Sequence, residues 1–358
     1  MTSQVVVLGA GAIGRELLSQ IAGSRRASAR LTICGVIDRS GYVFDKDGLS
    51  RRAVFDLCTH KASGKTVGTA RGGRLAAPHA SIDAVSLAGL EAPIVVDATA
   101  SDTRVLLQTA LSRGFDAVLA NKVPLSSAQC EVDELYSVAR SHRRRILHEA
   151  TVGAGLPVID TLQKLIDAGD RIISIEGCPS GTLGFLFGEL QQGRAFSEAL
   201  RDAIAAGYTE PDPRTDLSGL DVARKALILG RQIGFRGDLE AVKVESLVPA
   251  SLRDVSVDEF LARATELDSP FSARVAEASS AGKILRYRAH VTRKAISVGV
   301  AEVSVRDPLG SLSGTDNQFT FTTSRYRERQ LVITGPGAGA SVTASGIQND
   351  LLRLAALA

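Results

Sequence analysis

Val5-Val6-Val7-Leu8-Gly9-Ala10-Gly11-Ala12-Ile13-Gly14 joins four uninterrupted apolar residues to a GxGxxG turn, and a helical pattern runs on to Ile21. An apolar run without alternation reads as a strand buried on both faces, the habit of parallel sheets. The first glycine allows the tight turn, the second lets backbone approach a pyrophosphate, and the third lets helix pack on strand. The helix N-terminus then faces the phosphates. Ile33–Ile37 reads as a second strand ending at Asp38, an acid about twenty residues on, which is the context of a dinucleotide site. Asp38 followed by Arg39 leaves the cofactor open. A carboxylate there binds the ribose of NAD, whereas an adjacent arginine accommodates the 2′-phosphate of NADP.

The alternation of strand and helix continues outward from this unit. Pro93–Asp97, Ala117–Ala120 and Ile146–His148 read as strands, with a helix from Asp102 to Arg113. Residues 40–80 read as a loop with a short helix near Arg52–His60. In open α/β sheets ligands gather beyond the carboxyl ends of the strands. Those ends carry Gly9, Gly11, Ala12, Ile13 and Gly14, then Asp38 and Arg39, Thr99-Ala100-Ser101, Asn121-Lys122 and Glu149. Lys122 is thereby placed toward the nicotinamide end. The run Arg143-Arg144-Arg145 reads as a solvated helix end, where cations complement the dipole.

Beyond residue 150 the pattern changes. Leu285, Tyr287, Ala289 and Val291 alternate with polar residues, as do Ile296, Val298 and Val300, so these are antiparallel strands with one buried face. The expected fold class is α/β: a Rossmann-type dinucleotide-binding domain plus an α+β catalytic and dimerisation domain with an antiparallel-containing sheet. The boundaries are 1–149, completed by 332–358, and 150–331. Few helices read as covering the antiparallel sheet, so pairing of its apolar face with a symmetry mate predicts a homodimer.

Composition narrows the function. The chain of 358 residues has a net charge of only +3, no Trp and few other aromatics, which speaks against nucleic acid. Its longest uncharged stretch, Gln330 to Asn349, is rich in glycine and hydroxyl residues and does not read as a membrane span. Four scattered cysteines without CxxC spacing, and an N-terminus without a basic leader, predict a cytoplasmic protein with reduced thiols.

The second chemical stretch is Gly207-Tyr208-Thr209-Glu210-Pro211-Asp212-Pro213-Arg214-Thr215-Asp216-Leu217-Ser218-Gly219-Leu220-Asp221-Val222-Ala223-Arg224-Lys225. Two prolines stiffen an acid-rich loop that enters a helix, and Asp221 and Lys225 share one helical face. By spacing alone, Ser218 with Asp221 fits a capping box and Asp221–Lys225 an ordinary ion pair.

With Asn121-Lys122-Val123-Pro124, Glu149–Pro157, Ser180-Gly181-Thr182 and Gly335-Pro336-Gly337-Ala338-Gly339, this segment resembles the homoserine dehydrogenase family, in order and over nearly the whole chain. The likeness is to the short, monofunctional form, nearest the fungal type. It implies reversible reduction of L-aspartate 4-semialdehyde to L-homoserine by NADPH or NADH, in threonine and methionine biosynthesis. By position it implies Lys225 and Lys122 as catalytic lysines and Asp221 as the carboxylate orienting Lys225. It further implies Glu210, Asp216, Thr182, Gly181 and Tyr208 at the substrate, and Gly339 near the cofactor. Glu149, with the carbonyls of Val152, Ala154 and Leu156, resembles the family's site for Na+ or K+. Cys178-Pro179 departs from the family pattern beside the substrate segment and leaves the particular semialdehyde less fixed than the reaction class. The residues agree with the chemistry. Hydride delivery to an aldehyde builds charge on oxygen that a nearby ammonium stabilises and protonates.

Three other readings compete. One is an aldehyde-oxidising dehydrogenase using Cys130 or Cys178 as nucleophile. Another is a sensor that binds cofactor without turnover. The third is a relative acting on a different amino-acid semialdehyde.

Overall fold

A computed structural model describes residues 2–357. They form two compact units, one of residues up to Gly155 together with those from Gly339 onward, the other Leu156–Ala338.

The first unit holds β1 (Ser3–Leu8), β2 (Leu31–Asp38), β3 (Gly41–Phe44), β4 (Gly73–Leu75), β5 (Ile94–Asp97), β6 (Asp116–Leu119) and β7 (Ile146–Leu147) in one sheet, in the order β4-β3-β2-β1-β5-β6-β7. The five strands from β2 to β7 pair in parallel, and β3 and β4 add an antiparallel edge. Strand order therefore reverses beside β1, between β2 and β5, the switch point where ligands bind in such sheets. Helices α1 (Ala12–Gly23), α2 (Arg25–Ser28), α3 (Arg51–Ala62), α4 (Pro78–Ser86), α5 (Arg104–Ser112), α6 (Val123–Ser126) and α7 (Gln129–Ser141) complete the run. Val5, Val6 and Val7 are fully buried, as a continuous apolar strand requires, and α1 turns Leu17, Leu18 and Ile21 into the same core. Each such side chain contributes roughly 1.5–3 kcal/mol by leaving water.

The second unit contains α8 (Val158–Asp167), α9 (Gly181–Gln191), α10 (Phe196–Ala205), α11 (Arg214–Leu217), α12 (Leu220–Gln232), α13 (Val257–Arg263) and α14 (Asp268–Ser280). Its sheet comprises β8 (Ile172–Cys178), β9 (Lys243–Val244), β10 (Lys283–Val291), β11 (Ile296–Ser304), β12 (Asp316–Thr323) and β13 (Leu331–Pro336), in the order β13-β12-β8-β10-β11-β9. Only the short β9 pairs in parallel. The closing helix α15 (Ala340–Ala355) belongs to the first unit, where Ala344, Ile347, Leu351 and Leu354 join its core.

Four expectations are corrected. Residues 40–80 contribute β3, β4 and a full three-turn α3 rather than a loop with one short helix, because Tyr42 and Val43 pair back onto Val36 and Ile37. Residues 332–336 do not complete the dinucleotide unit: they pair with β12, and only α15 returns. The apolar face of the second sheet is not left open. Tyr287, Ala289, Val291, Ile296 and Val298 are buried, and α9, α12 and α14 lie against β10 or β11. The opposite face carries Glu176, Arg288 and His290, with Glu176 hydrogen-bonded to both Arg288 and His290. The Arg143–Arg145 run is only partly a solvated end, since Arg145 clasps the buried Asp116 at 2.7 Å. Among the described residues no helix is long and apolar enough to cross a membrane.

Candidate active site

In the first unit the chain builds a cleft of about 630 Å³ at the switch point. Gly9, Gly11, Ala12 and Ile13 line it, with Asp38, Arg39, Lys61 and Lys65 at one end and Thr99, Ala100 and Ser101 at the other. The glycines take the roles their spacing implies. Gly9 has φ +92° and lies so near the Ala98 carbonyl that a Cβ would sit 2.8 Å from its oxygen. A Cβ on Gly14 would strike the Gly9 carbonyl oxygen. Gly11 instead faces open space, with nothing within 4 Å of where its Cβ would lie. The turn is thus closed against the protein and open toward the cleft, which fits a pyrophosphate. Gly14, Lys122 and Gly339 are not among the residues lining that cleft. Gly14 packs helix on strand, Lys122 caps α6, and Gly339, with φ +110°, precedes α15.

Asp38 is heavily occupied. Its Oδ1 accepts from the Ser40 amide at 2.8 Å and the Ser40 hydroxyl at 2.5 Å, while Oδ2 accepts from Lys61 at 2.8 Å and the Val67 amide at 3.1 Å. Burial opposes its charge, but the Lys61 ammonium and these donors prevail and hold the carboxyl below the usual range.

The opposite end of the cleft is organised by a residue that the sequence reading passed over. Asp97, fully buried at the end of β5, accepts from the Thr99 amide at 3.0 Å, the Thr99 hydroxyl at 2.7 Å, the Thr103 hydroxyl at 2.5 Å and Asn121 at 3.0 Å. Burial lifts its pKa, and the four donors work against that. Asn121 also donates to the Ser101 carbonyl and accepts from the Val123 amide, so the loop after β5 and the turn bearing Lys122 are joined through one side chain. A carboxylate at a strand end beside two threonines was the available signal.

Glu149 opens a single 3-10 turn, and its amide donates to Asp350 of α15 at 2.8 Å. The chain then passes through Gly153 and Ala154, both in the left-handed region at φ +81° and +56°. Glu149, Val152 and Ala154 are buried, and the Leu156 carbonyl, in the second unit, accepts from the Val158 amide. A buried carboxylate and main-chain carbonyls are hard oxygen donors, the class a monovalent cation takes. Among the described residues no cluster of three His, Cys, Asp or Glu side chains forms a metal centre.

In the second unit the acid-rich loop is pinned from both sides. Arg214 grips Asp212 and donates to the carbonyls of Arg253 and Val255 at 3.0 and 2.6 Å. Asp216 accepts from the Glu210 amide at 2.8 Å. The Thr182 hydroxyl shares its one proton between the Tyr208 carbonyl at 2.5 Å and Asp216 at 3.1 Å. Burial, with some help from the Asp221 charge, raises the Asp216 pKa. Gly181 starts α9 close to the Thr315 carbonyl, and Tyr208 packs edge-on against Phe185. Thr182, Tyr208, Glu210 and Asp216 are thereby brought together around one loop. Lys225 donates to Asp221 at 2.8 Å and also to the Pro179 carbonyl at 2.7 Å, so its ammonium is aimed and largely shielded rather than splayed on a helix surface.

The capping box expected from Ser218 and Asp221 does not form. α12 is capped by Gly219 at φ +73°, and Ser218 turns its hydroxyl to the Thr215 carbonyl. Only glycine fits there, because a Cβ would overlap the Tyr287 hydroxyl, which donates to the Glu245 carbonyl. Cys178 is buried in a small apolar cluster with Ile284, Val303, Leu309 and Leu312, and burial pushes its thiol up to about 12, which disfavours the thiolate that a nucleophile needs.

A Rossmann-type cleft in one unit, with a lysine–carboxylate pair on α12 beside a stiff loop in the other, is the layout of a dinucleotide-binding α/β protein. Comparison with known proteins gives the family. Residues 9–149 match the model of the homoserine dehydrogenase NAD binding domain, and residues 157–352 that of homoserine dehydrogenase. The chain belongs to the homoserine dehydrogenase family. It is 35% identical to homoserine dehydrogenase of Schizosaccharomyces pombe over 98% of this chain and 94% of that one. It is 36% identical to a chloroplastic bifunctional aspartokinase/homoserine dehydrogenase of Zea mays over 99% of this chain but 38% of that protein. The chain thus spans 29% to 42% of the length of the first curated relatives it matches. A Candida auris crystal structure of unknown function superposes with TM-score 0.88 at 30% identity, covering 99% of this chain and 98% of that one. A hyperthermophilic archaeal homoserine dehydrogenase in complex with NADPH shares the fold, with TM-score 0.77 at 24% identity over 100% and 99% of the two chains.

Proposed function

We propose that the protein reduces L-aspartate 4-semialdehyde to L-homoserine, reversibly, using NADPH in preference to NADH. The observation that carries this reading is the Lys225 ammonium, held by Asp221 and the Pro179 carbonyl beside a loop bearing Glu210 and Asp216. A dinucleotide held by the Gly9–Ile13 turn would supply the hydride for the aldehyde carbon. Lys225 stabilises the charge that develops on the carbonyl oxygen and delivers the proton, while Asp221 holds it for that step. Glu210 and Asp216 supply the negative charge that the substrate α-ammonium needs, with Thr182, Gly181 and Tyr208 shaping the loop. Lys122 is the second lysine of the reaction.

The first unit contributes the cofactor cleft through Gly9–Gly14, Thr99–Ser101 and Arg39. Preference for NADPH follows from Asp38, whose oxygens are already engaged, and from Arg39 and Lys65, which line the same end of the cleft. Glu149 with carbonyls of Val152, Ala154 and Leu156 is the candidate for Na+ or K+. The domain boundaries are assigned as residues 1–155 with 339–358 for cofactor and 156–338 for substrate. A homodimer is inferred through the polar face of the second sheet, where the side chains of Glu176, Arg288 and His290 stay partly exposed. We assign the protein to threonine and methionine biosynthesis in the cytoplasm.

One assay tests the activity. NADPH consumption is followed with aspartate semialdehyde and a panel of shorter and longer amino-acid semialdehydes. Turnover highest with the four-carbon substrate is expected, and no turnover with any member of the panel refutes the reading.

A further inference from the structure

Arg15 is at odds with its position. It stands in the opening turns of α1, which has no acidic residue in its first turn, and helix N-termini disfavour cations. No carboxylate answers it. Among the described residues its guanidinium makes one hydrogen bond, Nη1 to the Ala10 carbonyl at 3.5 Å, and no ion pair. The neighbouring Glu16 is turned to Gln20 instead. The guanidinium is folded back toward the glycine turn and lines the cleft beside Gly9, Gly11 and Ile13. Next to it, Gly11 faces open space.

A cation set against the positive end of a helix breaks a local rule, and such breaks gather at functional sites. An anion in the open space at Gly11 would meet the amide donors of the turn, the helix dipole and Arg15 together. We propose that Arg15 is the side chain that grips the pyrophosphate of the bound dinucleotide, serving NADPH and NADH alike. This rests on the cofactor reading above. It is separate from Arg39, Lys61 and Lys65, which stand at the Asp38 end.

Calorimetric titration of the full-length Arg15→Gln and Arg15→Lys variants with NADPH, NADH and adenosine 2′-monophosphate tests it. The last probe has no 5′-phosphate and so reports on the far end of the cleft alone. Arg15→Gln should bind both dinucleotides roughly ten- to hundredfold more weakly, the range of a charge-assisted contact, and adenosine 2′-monophosphate as wild type does. Arg15→Lys should keep most of the affinity. The ligand-free Arg15→Gln protein should melt no lower than wild type, because an unfavourable cation has left the helix end. Unchanged affinity for the dinucleotides overturns the proposal, as does a loss confined to NADPH. Loss of all three ligands with a lowered Tm overturns it too, since Arg15 would then be holding the glycine turn. Wild-type protein that binds neither dinucleotide sinks the cofactor reading itself, a distinguishable result.

Discussion

Asn121 donates to Asp97 at 3.0 Å across the ends of two adjacent parallel strands, so β5 and β6 are wired together where the cleft begins. Neither residue lines the cleft, yet each fixes a segment that does or that carries Lys122. Asp97→Asn keeps the shape but sets an amide NH2 against donors from the Thr99 amide or Asn121. Hydrogen bonds to charged groups are worth about 1.5–3 kcal/mol each. Urea melts should show a loss of about 3 kcal/mol, with weaker NADPH binding as the 99–101 loop loosens. Unaltered melts would mean that Asp97 is not the hub.

Lys225 separates catalysis from helix pairing. If it served only the ion pair with Asp221, removing it would cost about 0.2–0.5 kcal/mol and little activity. We expect Lys225→Ala to bind NADPH normally and to lose about 10²–10³ in kcat, the scale of deleting one oxyanion donor. Asp221→Ala should show a smaller defect of the same kind. A kcat close to wild type in Lys225→Ala would transfer proton delivery to Lys122.

Arg39 bears on cofactor choice. Arg39→Ala should raise the KM for NADPH roughly ten- to hundredfold while leaving that for NADH nearly unchanged. Steady-state kinetics with both cofactors checks this, and equal losses would assign Arg39 to the fold or to the shared phosphates.

His148 gives a pH dependence of stability. It is buried just before the Glu149 turn, and burial lowers its pKa from the ordinary 6.5 to about 4. The folded protein therefore holds this imidazole neutral where the unfolded chain would protonate it. Its stabilising contribution is complete above pH 6.5 and is lost as the pH falls from 6.5 toward 4. At pH 5 the loss should be about 2 kcal/mol. Denaturant melts at pH 7.5 and pH 5 on wild type and His148→Phe should show that component only in wild type.

The parts of this fold that were legible in the sequence are those whose physics is local. The β1 turn and α1 follow from apolar continuity and three glycines, and Asp221–Lys225 from helical spacing. β3 and β4 were not, because each is short and makes sense only against β2. β12 was hidden in Asp316–Thr323, where Phe319 and Phe321 alternate with threonines and amides that are buried only because β8 and β13 flank them. The Lys61 contact that occupies Asp38, and the Tyr287 hydroxyl that makes Gly219 obligatory, join residues far apart in sequence. No spacing rule reaches them.

α15 makes the first unit depend on residues that follow the whole second unit in sequence. Val5, Leu17 and Ile21 share one core with Ile347, Leu351 and Leu354, and the Glu149 amide is met by Asp350. During synthesis the residues up to Gly155 emerge before the second unit but lack a wall of their core until α15 is made. The nested second unit has all its strands and helices earlier, so it can fold first while the first unit waits. Truncation before Ala340 would then leave an intact second unit tethered to a first unit that never closes, a species prone to aggregate.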